Sequence, residues 1–313
     1  MKVEVLKENL KLGLSTTERI IGKNISLPIL NNVLIQTEES FLNFISTNLE
    51  VAIKLWVLAK VIKQGKVVIP VKLFSSFVSY LPNEKITIEA EGQNLHVQSQ
   101  GVKTQIQGFN SEEFPLIPEI KNTEYLEIDN KKICQGLSQV IENTSSSQTR
   151  PEISGVYFTF SKNTVKIVAT DSFRLAEKTI TLEKAVKKDF SFILPQKSAR
   201  EIINILEEKE GSLRIYFSEN QVLFEFPMKE VNHPEAQISS RLIEGECPNY
   251  QDIIPTKFKT KVTLQREEFL NQLKTASLFA GKTNEVKVLV NDKKGQVEIF
   301  TKSQDVGENA SQL

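Results

Sequence analysis

The fold is decided by a stretch that occurs twice, first as Ile69-Pro70-Val71-Lys72-Leu73-Phe74 and again as Leu194-Pro195-Gln196-Lys197. In each case a strand-like run ends at a proline, and a helical pattern with an early lysine follows. Pro70 and Pro195 are 125 residues apart. A short polar turn, called the elbow below, precedes each stretch. It contains Thr47 in the first copy and Thr170 in the second, and these two threonines are 123 residues apart. Landmarks in the same order at nearly one spacing indicate a repeated domain.

A third landmark, a helical stretch with an apolar stripe, extends the repeat beyond two copies. It opens near Leu6, at Lys131 and at Arg266, at offsets of about 125 and 135 residues. Because a solenoid module spans only about 20–50 residues, a repeat of this length is a whole domain. At the same spacing, the second helix of the third copy would begin beyond Leu313. The sequence therefore predicts domains at 1–122, 123–255 and 256–313, the last of them incomplete.

The predicted secondary structure belongs to the α+β class. Helical patterns cover 6–23, 71–81, 131–143, 195–209 and 266–282, and most of the remaining chain consists of short runs, several of which alternate apolar with polar residues. Polar or glycine-bearing turns separate these runs, as expected for antiparallel strands. Each complete domain should therefore pack two helices against antiparallel sheets.

The composition excludes several functional classes. Lysine plus arginine and aspartate plus glutamate both number 39, so overall charge cannot hold the protein on nucleic acid. Cys134 and Cys247 form no CxxC pair, and His96 and His233 are the only histidines, so neither a zinc site nor a Ser-His-Asp triad is expected. The sequence thus predicts no catalytic residues, no metal and no cofactor.

The hydropathy pattern carries no membrane or export signal. No run approaches 18 apolar residues, and the first eight residues alternate charged with apolar side chains. The sequence therefore predicts a cytoplasmic protein without a membrane partner.

Five longer strings carry a resemblance to a known family. They are Leu27-Pro28-Ile29-Leu30-Asn31-Asn32-Val33-Leu34-Ile35, Glu112-Glu113-Phe114-Pro115, Arg150-Pro151-Glu152-Ile153-Ser154-Gly155-Val156, Ala169-Thr170-Asp171-Ser172-Phe173-Arg174-Leu175-Ala176 and Ser239-Ser240-Arg241-Leu242-Ile243-Glu244-Gly245-Glu246-Cys247-Pro248-Asn249-Tyr250. In this order and spacing they resemble the signatures of the bacterial DNA polymerase III beta subunit, the sliding clamp. The resemblance extends from Met1 to about Glu308.

The resemblance implies a ring of two head-to-tail protomers, with helices inside and a continuous sheet outside. Such a homodimer encircles duplex DNA without reading its sequence and tethers the replicative polymerase, as a processivity factor in DNA replication. The implied partners are double-stranded DNA, the catalytic subunit of DNA polymerase III and the clamp loader. The family's third domain continues past the position of Leu313, so ring closure and one side of the partner groove are expected to depend on further residues.

Residues that face DNA in the family have counterparts here. Sliding requires attraction to phosphates without base-specific contacts, which cations on helices can provide. By motif position, the resemblance implies that the DNA-facing residues are Lys23, Asn24, Lys72, Ser147, Gln148, Arg150 and Lys197. The alternative is that the cations among them are ordinary solvated side chains at helix ends.

Partners of clamps insert a short peptide with apolar anchors into a groove between the second and third domains. The resemblance places its wall at Ile153, Thr170, Ser172, Phe173, Arg174, Leu175, Pro248, Asp252 and Ile253. Asp252 stands where many members carry a basic residue, so partner preference is expected to differ. The alternative is that Leu175 is ordinary core and Arg174 forms a surface ion pair.

Ring closure in the family joins the first domain to the first helix of the third. Leu278 and Phe279 occupy the matching positions, and two neighbouring apolar residues that cannot both face a one-sided core suit an interface. They could equally form the last core turn of that helix.

Two further functions compete with the clamp. One is an adaptor that binds partner peptides without closing around DNA. The other is a hydrolase that uses Asp171 with Glu50, Glu112 or Glu113, although the repeat places Asn48 where Asp171 stands in the second copy.

Overall fold

The computed structural model describes residues 1–22, 26–120, 124–147 and 149–313. They form two compact units, Met1–Pro248 and Asn249–Leu313. The helices and strands that correspond to the first two copies of the repeat lie in the first unit, and those that correspond to the third copy lie in the second. Helices and antiparallel sheets build each unit, which confirms the predicted α+β class.

The first copy is a series of antiparallel strands interrupted by two helices. Its elements are β1 Lys2–Leu6, α1 Lys7–Glu18, β2 Asn32–Glu38, β3 Phe41–Thr47, β4 Val51–Leu58, β5 Lys60–Lys63, β6 Lys66–Pro70, α2 Val71–Tyr80, β7 Lys85–Glu91, β8 Asn94–Ser99 and β9 Val102–Gln107. Helix α2 starts directly after Pro70, whose ring restricts φ to −61° and cannot continue a strand ladder.

The second copy repeats this order. Its elements are β10 Leu126–Asp129, α3 Asn130–Val140, β11 Gly155–Ser161, β12 Thr164–Thr170, β13 Leu175–Thr181, β14 Phe190–Pro195, α4 Gln196–Leu206, β15 Ser212–Phe217, β16 Gln221–Pro227 and β17 Pro234–Arg241. Helix α3 begins where the carboxylate of Asp129 accepts a hydrogen bond from the backbone N–H of Lys132 at 2.9 Å. Helix α4 starts after Pro195, as α2 starts after Pro70.

The two copies share one sheet. Strand β4 of the first copy pairs antiparallel with β17 of the second, with Leu55 opposite Ala236 and Val51 opposite Ser240. The resulting eight strands run in the order β10-β15-β16-β17-β4-β3-β2-β6. Within the described part of this unit, two further sheets run β5-β1-β7-β8-β9 and β13-β12-β11-β14. Main-chain hydrogen bonds, and not only a linker, therefore join the copies.

Close packing of a helix on a strand occurs in both copies. A Cβ atom on Gly13 of α1 would lie 2.4 Å from the buried ring of Phe44 on β3. A Cβ atom on Gly136 of α3 would lie 2.8 Å from Cδ1 of Ile167 on β12. Each glycine, and each residue that it contacts, is 123 positions from its counterpart. The same absence of a side chain therefore seats the first helix of each copy on its sheet.

Helix ends differ from the predicted ones by several residues. Helix α1 ends at Glu18, although its pattern predicted an end at position 23. Helix α3 ends at Val140 and passes into a 3-10 turn at Ile141–Asn143, because the last turn of a helix often tightens. Leu6 was expected on the helical stripe, but it is the last residue of β1 and half exposed.

The second unit contains α5 Arg266–Ser277, β18 Lys287–Asn291, β19 Gln296–Ser303 and β20 Gly307–Gln312. Its strands run in the order β18-β19-β20. Ala276 of α5 and Ile299 of β19 are buried, and the Thr301 hydroxyl donates to the carbonyl of Ala276 at 3.2 Å. These contacts hold the helix against the middle strand.

Candidate DNA and partner interfaces

Two lysines predicted to face DNA occupy the same place in each copy. Lys72 is the second residue of α2 and Lys197 is the second residue of α4. Both side chains are exposed, and neither forms an ion pair with a described residue. A cation beside the first turn of a helix adds its charge to backbone N–H groups that already favour anions. Each site is therefore suited to a phosphate.

The remaining residues predicted to face DNA have mixed outcomes. Lys23, Asn24 and Gln148 lie outside the described residues. Ser147 is exposed, and its hydroxyl accepts a hydrogen bond from the backbone N–H of Thr149 at 3.3 Å. Ser147 therefore shapes its own loop, and a role in DNA binding stays a prediction.

Arg150 lies next to the predicted partner groove. Its Nε atom donates to the carboxylate of Glu152 at 3.0 Å, and Nη1 donates to the hydroxyl of Ser172 at 3.3 Å. The Glu152 carboxylate accepts from its own backbone N–H and from Arg150, and both hydrogen bonds hold its pKa below the ordinary range. The structure thus brings a residue predicted for DNA into contact with one predicted for partner peptides.

The elbow of the second copy is a tight turn fixed by side-chain hydrogen bonds. The Thr170 hydroxyl accepts from the N–H of Ser172 at 3.1 Å and donates to the carbonyl of Arg174 at 2.7 Å. Asp171 accepts from the backbone N–H groups of Arg174 and Phe173, which lower the pKa of its carboxyl to about 2. Ser172 has a φ of 76°, so the turn aims the next side chain outward.

This turn displays Phe173, whose side chain is 96% exposed. Arg174 binds the Asp171 carboxylate at 2.8 Å and donates to the carbonyl of Glu142 at 3.3 Å. Ile153 is buried and Leu175 is half-buried at the base of the turn. Arg174 therefore forms a surface ion pair, which was the alternative to a role in the groove. The exposed ring of Phe173 is accessible to a partner.

The other residues predicted for the groove lie at the boundary between the two units. Pro248 is exposed and ends the first unit. In the second unit, Ile253 is exposed and Asp252 accepts from the Asn249 side chain at 2.6 Å. Their contribution to a groove stays a prediction.

The residues predicted for ring closure lie at the end of α5. Leu278 is the C-cap residue and 72% exposed, and Phe279 is half-buried. Ala276 and Ala280 supply the buried turn. Leu278 is therefore not a core residue, although its role in an interface stays a prediction.

Sequence reasoning missed a cavity at the junction of the two copies. Arg19, just after α1, binds Glu201 of α4 at 2.7 Å. Beside this ion pair lies a cavity of about 560 Å³, lined in part by Lys197 and Arg200. Arg19 and Glu201 are far apart in sequence and carry no shared motif, so only the pairing of the helices reveals them.

The described residues hold no group of three His, Cys, Asp or Glu side chains arranged to bind a metal ion. None of the helices in the described ranges is long and apolar enough to cross a membrane. Burial raises the pKa of the Cys134 thiol to about 12 and that of the Cys247 thiol to about 11. Both cysteines are unpaired and are poor nucleophiles near neutral pH.

Two family models match this chain. The N-terminal domain of the DNA polymerase III beta subunit matches residues 1–118, and the central domain of the same subunit matches residues 127–249. Among curated proteins, the beta sliding clamp of Streptococcus pneumoniae serotype 4 is 29% identical over 96% of this chain and 80% of that protein. The beta sliding clamp of Bacillus subtilis strain 168 is 26% identical over 98% of this chain and 82% of that protein.

Solved structures share the fold. The DNA polymerase sliding clamp of Bacillus subtilis superposes with a TM-score of 0.92 at 24% identity, over 100% of this chain and 83% of that one. The DNA polymerase III beta chain of Streptococcus pneumoniae TIGR4 gives a TM-score of 0.89 at 27% identity, over 100% and 83%. Two domains of one subunit are thus matched in order, with a common fold along the whole chain. The chain belongs to the family of bacterial DNA polymerase III beta subunits, the beta sliding clamps.

Proposed function

We propose that this chain is a DNA sliding clamp that encircles duplex DNA and tethers the replicative polymerase. The observation that carries the proposal is the equivalence of Lys72 and Lys197, two exposed cations at the start of helices related by the repeat. Phosphates recur along the duplex at regular intervals, so repeated cations can hold DNA without reading bases. Such contacts permit sliding, because no position on the track binds better than its neighbours.

The junction between the first two copies is a template for ring closure. There, β4 pairs with β17. By the repeat, β20 is the third-copy counterpart of β4, and β9 is the first-copy counterpart of β17. Both β9 and β20 are the outermost described strands of their sheets. We therefore infer that β20 of one protomer pairs with β9 of the other, which gives a head-to-tail homodimer.

The helices support the same arrangement. Arg19 and Leu278 are the C-cap residues of equivalent helices, α1 and α5. Glu201 binds Arg19, and its counterpart on α2 is Ser76, which is flanked by the exposed side chains of Leu73 and Tyr80. An ion pair at one junction would thus be replaced at the other by apolar contacts between Leu278 and the exposed face of α2.

The oligomeric state tests this interface. We expect a dimer at micromolar concentration by sedimentation equilibrium, and we expect Leu278→Asp to shift the protein to monomer because the substitution buries an unpaired charge. Val231→Asp is a matched control, since Val231 is exposed in a turn of the first unit. A native chain that stays monomeric would overturn ring closure without affecting DNA contact.

The partner groove is proposed on the second copy. Phe173 offers an exposed aromatic anchor. We propose that the other wall residues are Ile153, Thr170, Ser172, Arg174, Leu175, Pro248, Asp252 and Ile253. We propose domains at 1–122, 123–255 and 256–313, with the groove at the boundary of the last two. The catalytic subunit of DNA polymerase III and the clamp loader are the proposed partners.

We propose that the chain has no catalysis of its own. The rival hydrolase would use Asp171, but both backbone hydrogen bonds and Arg174 already engage that carboxylate. In the first copy, the Asn48 amide oxygen accepts the two equivalent hydrogen bonds, from the N–H groups of Glu50 and Val51. An amide that serves as well as a carboxylate indicates a structural role.

Retention on DNA distinguishes these functions. With a clamp loader and ATP, we expect the protein to co-elute with nicked circular plasmid in gel filtration and to be lost once the plasmid is linearised. If the protein is lost equally from circular and linear plasmid but still binds partner peptides, it acts as an adaptor and not as a clamp. Turnover of DNA or nucleotides by the protein alone would favour an enzyme.

A further inference from the structure

The two copies differ at the outer edge of one sheet. In the first copy, β5 lies outside β1, so the sheet runs β5-β1-β7-β8-β9. In the second copy the counterpart of β1 is β10, and no strand among the described residues lies outside it. The repeat thus reveals a strand position that is filled in one copy and open in the other.

The counterpart of β5 is present but held elsewhere. In the first copy, the N–H of Ala59 donates to the carbonyl of Ser40 at 3.0 Å, and in the second the N–H of Leu182 donates to Asn163 at 2.7 Å. Both pairs are offset by 123 positions, so residues 183–186 correspond to β5, within the segment 183–188 that leads to β14.

Residues 183–188 are anchored to the turn between β11 and β12. The N–H of Val186 donates to the carbonyl of Lys162 at 2.7 Å. The Asp189 carboxylate accepts from the Ser161 hydroxyl at 2.7 Å and from the N–H of Lys162 at 3.3 Å. These hydrogen bonds keep the segment away from the edge of β10.

The open position is a cavity of about 800 Å³. Strand β10 forms one wall and residues 182–188 form the other. Apolar side chains that include Ile128, Leu182, Phe190 and Phe217 line it, and the rings of Phe190 and Phe217 stack at 3.8 Å. At its mouth lies an exposed ion pair between Lys187 and Glu124, which contributes little to stability. The cavity therefore has volume for at least one large side chain, and part of its lining is apolar.

The filled position in the first copy defines the chemistry of the occupant. There, Lys60 of β5 binds Glu4 of β1 at 3.3 Å, and Val61 lies opposite Val3. The counterpart of Glu4 on β10 is Glu127, which is exposed and forms no ion pair with a described residue. Its cross-strand neighbour, Arg214, is bound to Glu225 instead.

We propose that the edge of β10 binds an extended segment of a partner protein as an added antiparallel strand. The segment places an apolar side chain into the cavity and a lysine or arginine beside Glu127. Its backbone pairs with the unpaired N–H and C=O groups along β10, as β5 pairs with β1. This site is separate from Phe173 and does not depend on ring closure or on DNA binding.

The probe is a fluorescent peptide with the sequence of residues 57–64 of this chain, which includes β5. We expect saturable binding by fluorescence anisotropy. We expect E127Q to weaken binding of the native peptide at least threefold. A second peptide carries glutamine in place of the lysine equivalent to Lys60. The native protein should bind this second peptide more weakly than the native peptide, whereas E127Q should bind both peptides with the same affinity. The control variant is E230Q, since Glu230 is exposed in the turn between β16 and β17 and lies outside the cavity. A peptide with proline in place of Val61 should not bind, because proline breaks the pairing.

Hydrogen exchange locates the bound peptide. Binding should slow exchange of the backbone amides at 126–129 and leave those of 170–175 unchanged. The inference is wrong if the native protein shows no saturable binding at peptide concentrations up to about 1 mM. It is equally wrong if E127Q binds as tightly as the native protein, or if protection appears at the elbow instead.

Discussion

The imidazole ring of His233 stacks on the ring of Phe41, with centroids 4.4 Å apart and planes inclined by 24°. Phe41 begins β3 of the first copy, whereas His233 precedes β17 of the second. Trp56 meets the same imidazole edge-on at 5.5 Å, and its indole N–H donates to Glu38 at 2.7 Å. Nδ1 of His233 lies 2.7 Å from the carbonyl of Pro234, which can only accept, so Nδ1 carries the proton. An aromatic cluster therefore reinforces the strand pair that joins the two copies.

Loss of this imidazole should weaken the junction. His233→Ala is expected to lower the free energy of unfolding by about 1–2 kcal/mol, because it removes a stacked pair and exposes Phe41. It should also shift the emission of Trp56, the one tryptophan in the sequence, to longer wavelength. Urea unfolding followed by circular dichroism and fluorescence measures both effects.

His96→Ala is the matched control for that variant. His96 is a half-buried residue of β8, away from the junction, and should leave the Trp56 emission unchanged. Equal losses of stability in the two variants would show that the stack at His233 has no special weight.

The repeat was predictable from the sequence because its landmarks are chemically distinctive. Thr47 and Thr170 each accept a hydrogen bond from the N–H two residues later, at 3.0 and 3.1 Å. Their spacing alone revealed equivalent turns. The backbone conformation did not follow from it, since Leu49 and Ser172 take φ values of 74° and 76° that neither residue type favours. The turn hydrogen bonds, and not the residue type, impose this conformation.

Other features needed the structure because they join distant parts of the chain. The pairing of β4 with β17 gives no local signal, since edge strands and inner strands carry similar patterns. The contact between the guanidinium of Arg150 and Ser172 depends on the loop geometry, and the role of Arg150 in DNA binding stays a prediction. The segment 183–188 contains lysines and valine as β5 does, and only its hydrogen bonds show that it is not a strand.

The close packing of α1 against Phe44 predicts that one added methyl group lowers the stability of the protein. Gly13→Ala would place Cβ 2.4 Å from the Phe44 ring, so helix or ring must move. Overpacking of this kind costs about 1–3 kcal/mol, which exceeds the roughly 1 kcal/mol that alanine gains over glycine within a helix. We therefore expect a lower unfolding midpoint in urea. Gly22→Ala, whose Cβ would have no other described residue within 4 Å apart from its chain neighbours, should change stability little, and equal midpoints for both variants would contradict this packing.

Buried thiols predict a loss of stability at alkaline pH. Burial raises the folded-state pKa of Cys134 to about 12, from an ordinary value near 9. Because the folded-state pKa is the higher one, the stabilising contribution is complete below about pH 9 and is lost as the pH rises toward 12. We expect Cys134→Ala to flatten the fall of unfolding free energy between pH 9 and 11, relative to the native protein.

Thiol reactivity gives an independent measurement of the same burial. At pH 8, Cys134 should resist a disulfide reagent such as DTNB in the native state and react fully in urea. The pKa of Cys247 is raised less, to about 11. We therefore expect Cys247→Ala to reduce the fall of unfolding free energy at alkaline pH by less than Cys134→Ala does. Rapid modification of Cys134 in the native protein would mean that the thiol is not enclosed.

The salt dependence of DNA binding tests whether Lys72 and Lys197 contact phosphates. Each phosphate contact contributes about one unit to the slope of log affinity against log salt concentration, because binding releases a condensed counterion. Lys72→Ala and Lys197→Ala should each reduce that slope by about one for a short duplex, and the double variant by about two. Lys229→Ala, at an exposed lysine in the turn after β16, should leave the slope unchanged. If all three single variants lower the slope equally, the DNA is held by diffuse charge, and the repeated helix starts have no particular part in binding it.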